Sequence, residues 1–289
     1  MDSTQLSLCM VVKNEERHLG RCLDSVRDLA REIVLVDTGS TDGTLEIAAR
    51  HGARVTHFDF SRVDFAAARN HGLAQATAGW ILVLDADEAL DAASIPLVRE
   101  FVARNDNAGY FFQRLNRRPA PEQATTDYVV RLFPNRPDYR YRGRVHETVD
   151  TSILAGGGRL LRSTIKIDHE FATDPETRRA RNLRYIAILK EEIADDPTDF
   201  GRLDFLAAEY HQLGEMEKAA EVIERIAAVR PQDPQAHLHA GVYHMLFKID
   251  RRRARADLME ALRLKPGYPE ALSFLERLDQ EEAADRMQA

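Results

Sequence analysis

The sequence predicts an α/β protein: a mostly parallel, Rossmann-like sheet with helices on both faces, followed by an all-α domain of repeated helices. Three observations lead there. Strand and helix patterns alternate through about the first ninety residues with short connections, as right-handed crossover units of a parallel sheet do. Polar residues fall just past the ends of three of those strands, where such sheets place ligands. After Asp174-Pro175 the composition turns to Ala, Glu, Arg and Leu at helical period and repeats itself.

In order, Leu6–Val12 reads as a strand and Glu15 to Ala30 as a helix with Leu19, Leu23, Val26 and Leu29 on one face. Glu32–Asp37 is a near-continuous apolar run ending in an acid, the pattern of a strand buried on both faces. Ser40 or Thr41 is placed to cap the next helix, which passes Leu45, Ile47 and Ala48 to a stop at Gly52. Arg54–Phe58 is a third strand and Phe65 to Ala76 an Ala-rich helix closed by Gly79. Trp80–Leu84 is a fourth buried strand, ending at Asp85-Ala86-Asp87-Glu88. From Asp91 to Phe171 the pattern loosens. Tyr110–Leu115, Tyr128–Phe133 and Ile165–His169 read as strands, with Gly156-Gly157-Gly158 between the last two, completing one α/β domain over residues 1–172.

Residues 173–289 form the second domain. Leu203, Tyr210, Ala219, Ile223 and Pro231 recur about 35 residues on as Leu238, Met245, Ala254, Leu258 and Pro266, close to the tetratricopeptide period. Gly214 lies at the turn of the first copy, and Ile249 replaces it in the second. Two copies do not make a stable solenoid, so helices over about 176–194 and 269–284 are expected to cap them. His211, His237, His239 and His244 form no carboxylate or thiolate constellation, and read as partly buried or solvated.

Composition narrows the function. Hydrophobic residues make up 44% and charged residues 30% of 289, a globular profile. Net charge is −7, which argues against nucleic acid as a partner. No run approaches the roughly 18 apolar residues of a membrane span, and Met1 to Leu8 lacks the pattern of a secretory signal. With two cysteines, Cys9 and Cys22, read as reduced and buried, a cytoplasmic location is expected, at most peripheral to the inner face of a membrane. Arg114, Arg117, Arg118, Arg131, Arg136, Arg140, Arg142 and Arg144 crowd one stretch. They read as a solvated basic face, the sharper alternative being a surface for an anionic or lipid-linked acceptor.

The chemistry centres on Trp80-Ile-Leu-Val-Leu-Asp-Ala-Asp-Glu88. Two carboxylates one residue apart at the end of a buried strand need a cationic partner. A hard divalent ion, Mg²⁺ or Mn²⁺, supplies one while bridging to phosphate oxygens. Val36-Asp37-Thr38-Gly39-Ser40-Thr41-Asp42-Gly43-Thr44 puts a further acid at a strand end, able to accept from a nucleobase edge. Ser40, Thr41 and Asp42 read best as helix caps. Lys13-Asn14-Glu15-Glu16 follows the first strand, and Arg69 in Phe65-Ala-Ala-Ala-Arg-Asn70 places a cation where a uracil or diphosphate could be met.

Together these motifs resemble the GT-A glycosyltransferases of family 2, in the subgroup with Val-Lys-Asn-Glu-Glu and Val-Asp-Thr-Gly-Ser. That subgroup includes lipopolysaccharide-core glucosyltransferase-like proteins and peptide S-glycosyltransferases, some with tetratricopeptide tails. The resemblance is specific over about residues 5–90 and looser over 128–170. It implies an inverting transfer of a sugar from a nucleoside-diphosphate donor, commonly a UDP-sugar, to a glycan, lipid-linked or peptide acceptor. The implied nucleotide-sugar contacts are Val12, Asn14, Glu15, Asp37, Arg69, Asp85, Ala86 and Asp87. Asp87 would be the principal ligand of Mn²⁺ or Mg²⁺, with Asp85 and His169 completing the shell. Arg144-Val-His-Glu147 matches the family's second acidic motif and nominates Glu147 as general base. It reads His-Glu where Glu-Asp is commoner, so His146 and Glu147 could exchange roles.

General chemistry agrees: a Lewis-acid metal stabilises a leaving diphosphate, and one carboxylate base serves a single inverting displacement. No Gly-x-Ser-x-Gly elbow or P-loop is present. Two rival readings stand. One is a non-catalytic adaptor that binds a peptide through its helical repeats and keeps a vestigial nucleotide-binding domain. The other is a nucleotidyltransferase, disfavoured because Val11-Val12-Lys13-Asn14-Glu15 stands where a Gly-rich loop is usual. The acceptor, the donor sugar and the oligomeric state have no motif to reveal them.

Overall fold

A computed structural model describes residues 5–104, 106–117, 124–170, 174–247 and 249–288. The chain forms two compact units, Met1–Thr173 and Asp174–Ala289.

In the first unit the described elements are β1 (Leu6–Val12), α1 (Leu19–Ser25), β2 (Glu32–Asp37), α2 (Thr44–Arg50), β3 (Arg54–His57), α3 (Phe65–Leu73), β4 (Trp80–Val83), β5 (Glu88–Leu90), α4 (Ile95–Arg104), β6 (Ala108–Arg117), β7 (Thr125–Pro134), α5 (Asp150–Ala155) and β8 (Arg159–Glu170). The strands make one sheet in the order β3-β2-β1-β4-β7-β6-β8-β5. The run from β3 to β4 is parallel throughout. Beyond β4 the sheet is mixed: β7 is antiparallel to both β4 and β6, β8 is parallel to β6, and β5 is antiparallel to β8.

The alternation of β1 and β4 divides their side chains between two cores. Leu8, Met10, Trp80 and Leu82 pack with α1 and α4 residues such as Leu19, Leu23, Val98 and Phe101. Cys9, Ile81 and Val83 pack on the other face with Ala66 and Leu73 of α3 and Ile153 of α5. Both cysteines are buried and free.

Three expectations need correction. The first helix is regular only over Leu19–Ser25, because the chain enters and leaves it through turns that run on to Arg31, whose N–H bonds Leu6. Ser40 and Thr41 do not cap α2. Its N-cap is Gly43, and the nearest capping contact is Asp42 Oδ1, which accepts from Thr44 N at 3.0 Å. The arginine-rich stretch is a solvated face only in part, at Arg117, Arg136 and Arg142. Arg131 is 5% exposed, Arg114 pairs with Asp127 and Arg117 with Asp168, and Arg140 and Arg144 donate to backbone carbonyls. Arg118 lies outside the described residues.

The second unit consists, among the described residues, of α6 (Pro175–Asp195), α7 (Phe200–Gln212), α8 (Met216–Val229), α9 (Pro234–Leu246), α10 (Arg251–Leu264) and α11 (Pro269–Gln288). Asp174, Asp199, Asp233 and Asp250 each cap a helix through the side chain, supplying acceptors to N–H groups that have none within the helix. The repeat positions Leu203, Tyr210, Ala219, Ile223, Leu238, Met245, Ala254 and Leu258 are all buried. Gly214 sits at φ +76°, a turn conformation that favours glycine. The histidines carry no metal cluster among the described residues. His237 pairs with Asp257, His239 with Asp204, His211 packs on Phe247, and His244 is buried. No helix of the described residues is long and apolar enough to cross a membrane.

Candidate active site

The site is built where β1, β2 and β4 end together. Thr38, just past β2, donates from its N–H and its hydroxyl to the carbonyl of Val12, locking the two strand ends. Asn14 then takes φ +57°, a conformation Asn tolerates better than most residues. There its side chain accepts from Thr41 N at 2.8 Å while its own N–H donates to Ser40 Oγ at 3.0 Å. Glu15 N donates to Thr44 Oγ1, and Glu16 Oε2 accepts from Gly43 N. The residues read as caps therefore sew the first loop to the second.

Asp37 is buried, with Gly39 N and Ser40 N donating to its carboxylate and His57 Nδ1 at 3.2 Å. Burial alone would raise its pKa, but the Ser40, Gly39 and His57 hydrogen bonds outweigh it and hold the group below its ordinary value. Glu15, half-buried, behaves in the opposite way. Desolvation, then the nearby charges of Asp87, Asp85 and Asp42, push it up to about 7.

At the end of β4 the two acids of the Asp-x-Asp motif part company. Both oxygens of Asp85 are taken by arginines: Oδ1 accepts from Arg69 Nη2 at 2.7 Å and Oδ2 from Arg131 Nη2 at 2.7 Å. Burial opposes ionisation of Asp85, yet Arg131 and Arg69 hold it far below the usual carboxylate range. Arg131 also donates to Glu88 Oε1 at 2.5 Å. Arg69 also donates, through Nε, to Glu147 Oε1 at 2.6 Å. Ala86 is buried between the two acids.

Asp87 instead meets His169, with Oδ2 3.3 Å from Nε2. The meeting follows from strand register, since β5 and β8 pair Glu88 directly with His169. On the other side of the ring, Asn116 Oδ1 lies 2.6 Å from Nδ1. Asn116 thus holds the ring from the Nδ1 side and leaves Nε2 facing the Asp87 carboxylate. A carboxylate and an imidazole side by side are donors that Mn²⁺ or Mg²⁺ accepts. No three of His, Cys, Asp and Glu converge among the described residues. A cation held here would draw further oxygens from its substrate, as Mg²⁺ commonly does.

Glu147 lies in a short loop closed by reciprocal backbone hydrogen bonds between Arg142 and Thr148. Positive φ at Gly143 and His146 folds the loop tightly. Asn70, next to Arg69 on α3, clamps its base by donating to Tyr141 O at 2.9 Å and accepting from Tyr141 N at 2.8 Å. Arg144 O accepts from Phe65 N, so the loop rests on the start of α3. In this way α3 brings Arg69 between the end of β4 and Glu147.

The structure thus places Val12, Asn14, Glu15, Asp37, Arg69, Asp85, Ala86, Asp87, Glu147 and His169 at or beside the carboxyl ends of the strands. It pairs Asp87 with His169, and Asp85 with arginines. Four contributors escape a reading of the sequence. Glu88, fully buried, reads there only as the tail of the acidic motif. Arg131 reads as one member of the basic stretch. Tyr141, under the Arg69 guanidinium at 5.4 Å, and Asn116 carried no sequence signal.

Comparison with known proteins decides the family. A model described as glycosyl transferase family 2 matches residues 7–167, more than half of the chain. The chain belongs to glycosyl transferase family 2. Curated relatives agree with that placement. A TPR repeat-containing protein of Synechococcus elongatus is 43% identical over 52% of this chain and 37% of its own length. The lipopolysaccharide core biosynthesis glycosyltransferase LpsC of Rhizobium meliloti is 36% identical over 50% of this chain and 56% of its own. The SPbeta prophage-derived glycosyltransferase SunS of Bacillus subtilis is 23% identical over 78% of this chain and 53% of its own. The chain thus spans about half the length of these relatives, or less. Among solved structures, S. aureus TarS 1-349 in complex with UDP-GlcNAc superposes with a TM-score of 0.53 at 14% identity, covering 92% of this chain and 93% of that one. That likeness is one of fold, and the GT-A architecture expected of a family 2 domain stands here, followed by the helical unit.

Proposed function

We propose that this family 2 chain is an inverting glycosyltransferase that moves a sugar from a nucleoside diphosphate, most simply UDP, to an acceptor nucleophile. The observation that carries the reading is the Asp87–His169 pair, 3.3 Å apart at the strand ends, with Asn116 fixing the imidazole. It lies in one crevice with a second carboxylate, Glu147, which Arg69 ties to the end of β4. The fold likeness to a protein crystallised with UDP-GlcNAc makes a UDP-sugar the donor to try first.

In this reading Asp37 and the Asn14–Thr41 loop hold the nucleoside, and Asp87 with His169 holds Mn²⁺ or Mg²⁺. The ion, when bound, supplies positive charge to the leaving diphosphate. Glu147 accepts the proton of the acceptor nucleophile as its lone pair forms the new bond to the anomeric carbon. The old bond's electron pair leaves with the diphosphate, so one displacement inverts the centre. A cytoplasmic site of action, at or near a membrane's inner face, goes with this reading. The helical unit is assigned the binding of an acceptor or a protein partner.

Isothermal titration of UDP, GDP and TDP, with and without Mn²⁺, tests the donor site on wild type and Asp87→Ala. The expected result is UDP binding that needs the ion and is lost in the variant. If no nucleoside diphosphate binds under either condition, the transferase reading fails and the non-catalytic adaptor takes its place.

A further inference from the structure

Glu88 does not belong to the substrate face, yet it is the most deeply placed charge of the site. Its side chain is fully buried in β5. It accepts from Arg131 Nη2 at 2.5 Å, from Asp85 N at 3.0 Å and from Arg114 Nη1 at 3.5 Å. From there a line of alternating charges runs outward: Glu88 to Arg131, Arg131 to Asp85 at 2.7 Å, Asp85 to Arg69 at 2.7 Å, and Arg69 to Glu147 at 2.6 Å. Five elements contribute one group each: β5, β7, the end of β4, α3 and the loop after Tyr141.

Burying most of such a line is expensive, because Glu88 and both guanidiniums give up their water. Arg69 Nη1 and Arg131 Nε are buried without a hydrogen-bond partner. Apolar residues of similar volume would serve stability as well or better. What ion pairs supply and apolar packing does not is orientation, since each guanidinium fixes the next carboxylate by direction as well as distance. Asp85, with 34% of its side chain exposed, and Glu147, with 13%, are the members that reach solvent, and Glu147 is the terminal one, held by Arg69. Orientation is therefore delivered to Glu147.

We propose that Glu88 and Arg131 are positioning residues: anchored in the sheet, they fix Asp85, which holds Arg69 in the orientation that presents the Glu147 carboxylate to the acceptor. Asp85 is then a structural counter-charge within the Asp-x-Asp motif, and Asp87 keeps the cation. The proposal rests on the reading of Glu147 as the base. Losing the anchor lets Glu147 drift by fractions of an ångström to an ångström, a displacement that costs an enzyme up to about 10²-fold in rate. Donor affinity, which Asp37, the Asn14–Thr41 loop, Asp87 and His169 chiefly govern, changes far less than turnover.

The test uses the full chain and four variants, Glu88→Gln, Arg131→Lys, Glu147→Gln and the Glu88→Gln/Glu147→Gln pair. The assay is UDP release from a UDP-sugar with water as the acceptor, and folding is checked by thermal melts. Glu147→Gln alone examines the base reading: wild-type turnover in that variant removes Glu147 from the chemistry and overturns this proposal with it. Given a loss there, Glu88→Gln is expected to lower kcat at least about tenfold with KM for the donor within about twofold. It should add nothing further in the Glu147→Gln background, since both changes cut the same line. Arg131→Lys, which keeps the cation, should retain more turnover than Glu88→Gln. Wild-type kcat in a folded Glu88→Gln enzyme overturns the proposal. So does an equal fractional loss in both backgrounds, which would mark a role in the fold alone.

Discussion

Replacing Asn70 by alanine should loosen the loop that carries Glu147, and the size of the effect can be worked out from two hydrogen bonds. Asn70 donates to Tyr141 O at 2.9 Å and accepts from Tyr141 N at 2.8 Å. Tyr141 is 5% exposed, so alanine leaves one buried N–H and one buried carbonyl without partners. Each such group costs about 1–3 kcal/mol, and with some entry of water a total of about 3 kcal/mol is expected. Trp80 is the single tryptophan, fully buried in β4, so its fluorescence reports on this unit and not on the helices that follow. With a urea m-value of about 2 kcal/mol/M, the Trp80 transition should move down by about 1.5 M. Turnover should fall as well, because the loop's base is no longer fixed to the helix that carries Arg69. A midpoint shift below about 0.3 M would show that water replaces both bonds freely, and would refute the clamp.

Two further perturbations have signs that follow from the structure. Glu15, raised to about 7 by burial and by Asp87, Asp85 and Asp42, carries no penalty below its unfolded pKa of about 4.3 and destabilises the fold increasingly as pH rises towards 7. Glu15→Gln should therefore match wild type near about pH 4 and be the more stable at about pH 8; urea midpoints showing the same gap at both values would contradict this. In the helical unit, a Cβ at Gly241 would stand 2.7 Å from Leu258 Cγ and 2.9 Å from Ala254 O. Gly241→Ala gains about 1 kcal/mol of helix propensity but meets backbone that cannot step aside, a cost of about 1–3 kcal/mol. The circular-dichroism melt of the helices should fall while the Trp80 transition stays in place, and a raised melt would show that α9 and α10 separate readily.

The parts of the fold that were legible in the sequence are those whose neighbours are sequence-local or whose burial is complete. Glu32–Asp37 was read in full because a near-continuous apolar run ending in an acid has few other uses in a parallel sheet. The helical repeat was legible through Leu203, Ala219, Leu238 and Ala254, whose burial recurs with the period. Ser40 and Thr41 misled because their local meaning, a cap, is displaced by bonds to Asn14 from another strand end. β5 was invisible because three residues show no period, and only β8 makes them a strand. Arg131 reads as surface until Asp85 and Glu88 are seen around it. Local pattern records which side of an element is buried, but not which distant charge has been buried beside it.

The place of β5 has a consequence for how the protein is made. Four residues after β4, the chain enters a strand that hydrogen-bonds only to β8 in the sheet, although β8 is about 80 residues further along. On the ribosome, Glu88 and Asp87 emerge long before the strand that receives them. Until Arg159–Glu170 is synthesised, Glu88 has no sheet to enter and Asp87 has no His169 to face. The nucleotide-side loops, whose bonds are local to β1 and β2, can form early, whereas the charged half of the crevice is completed by the last strand of its unit. A nascent chain arrested before that strand should therefore be able to close its first loops while remaining unable to join Asp87 to His169.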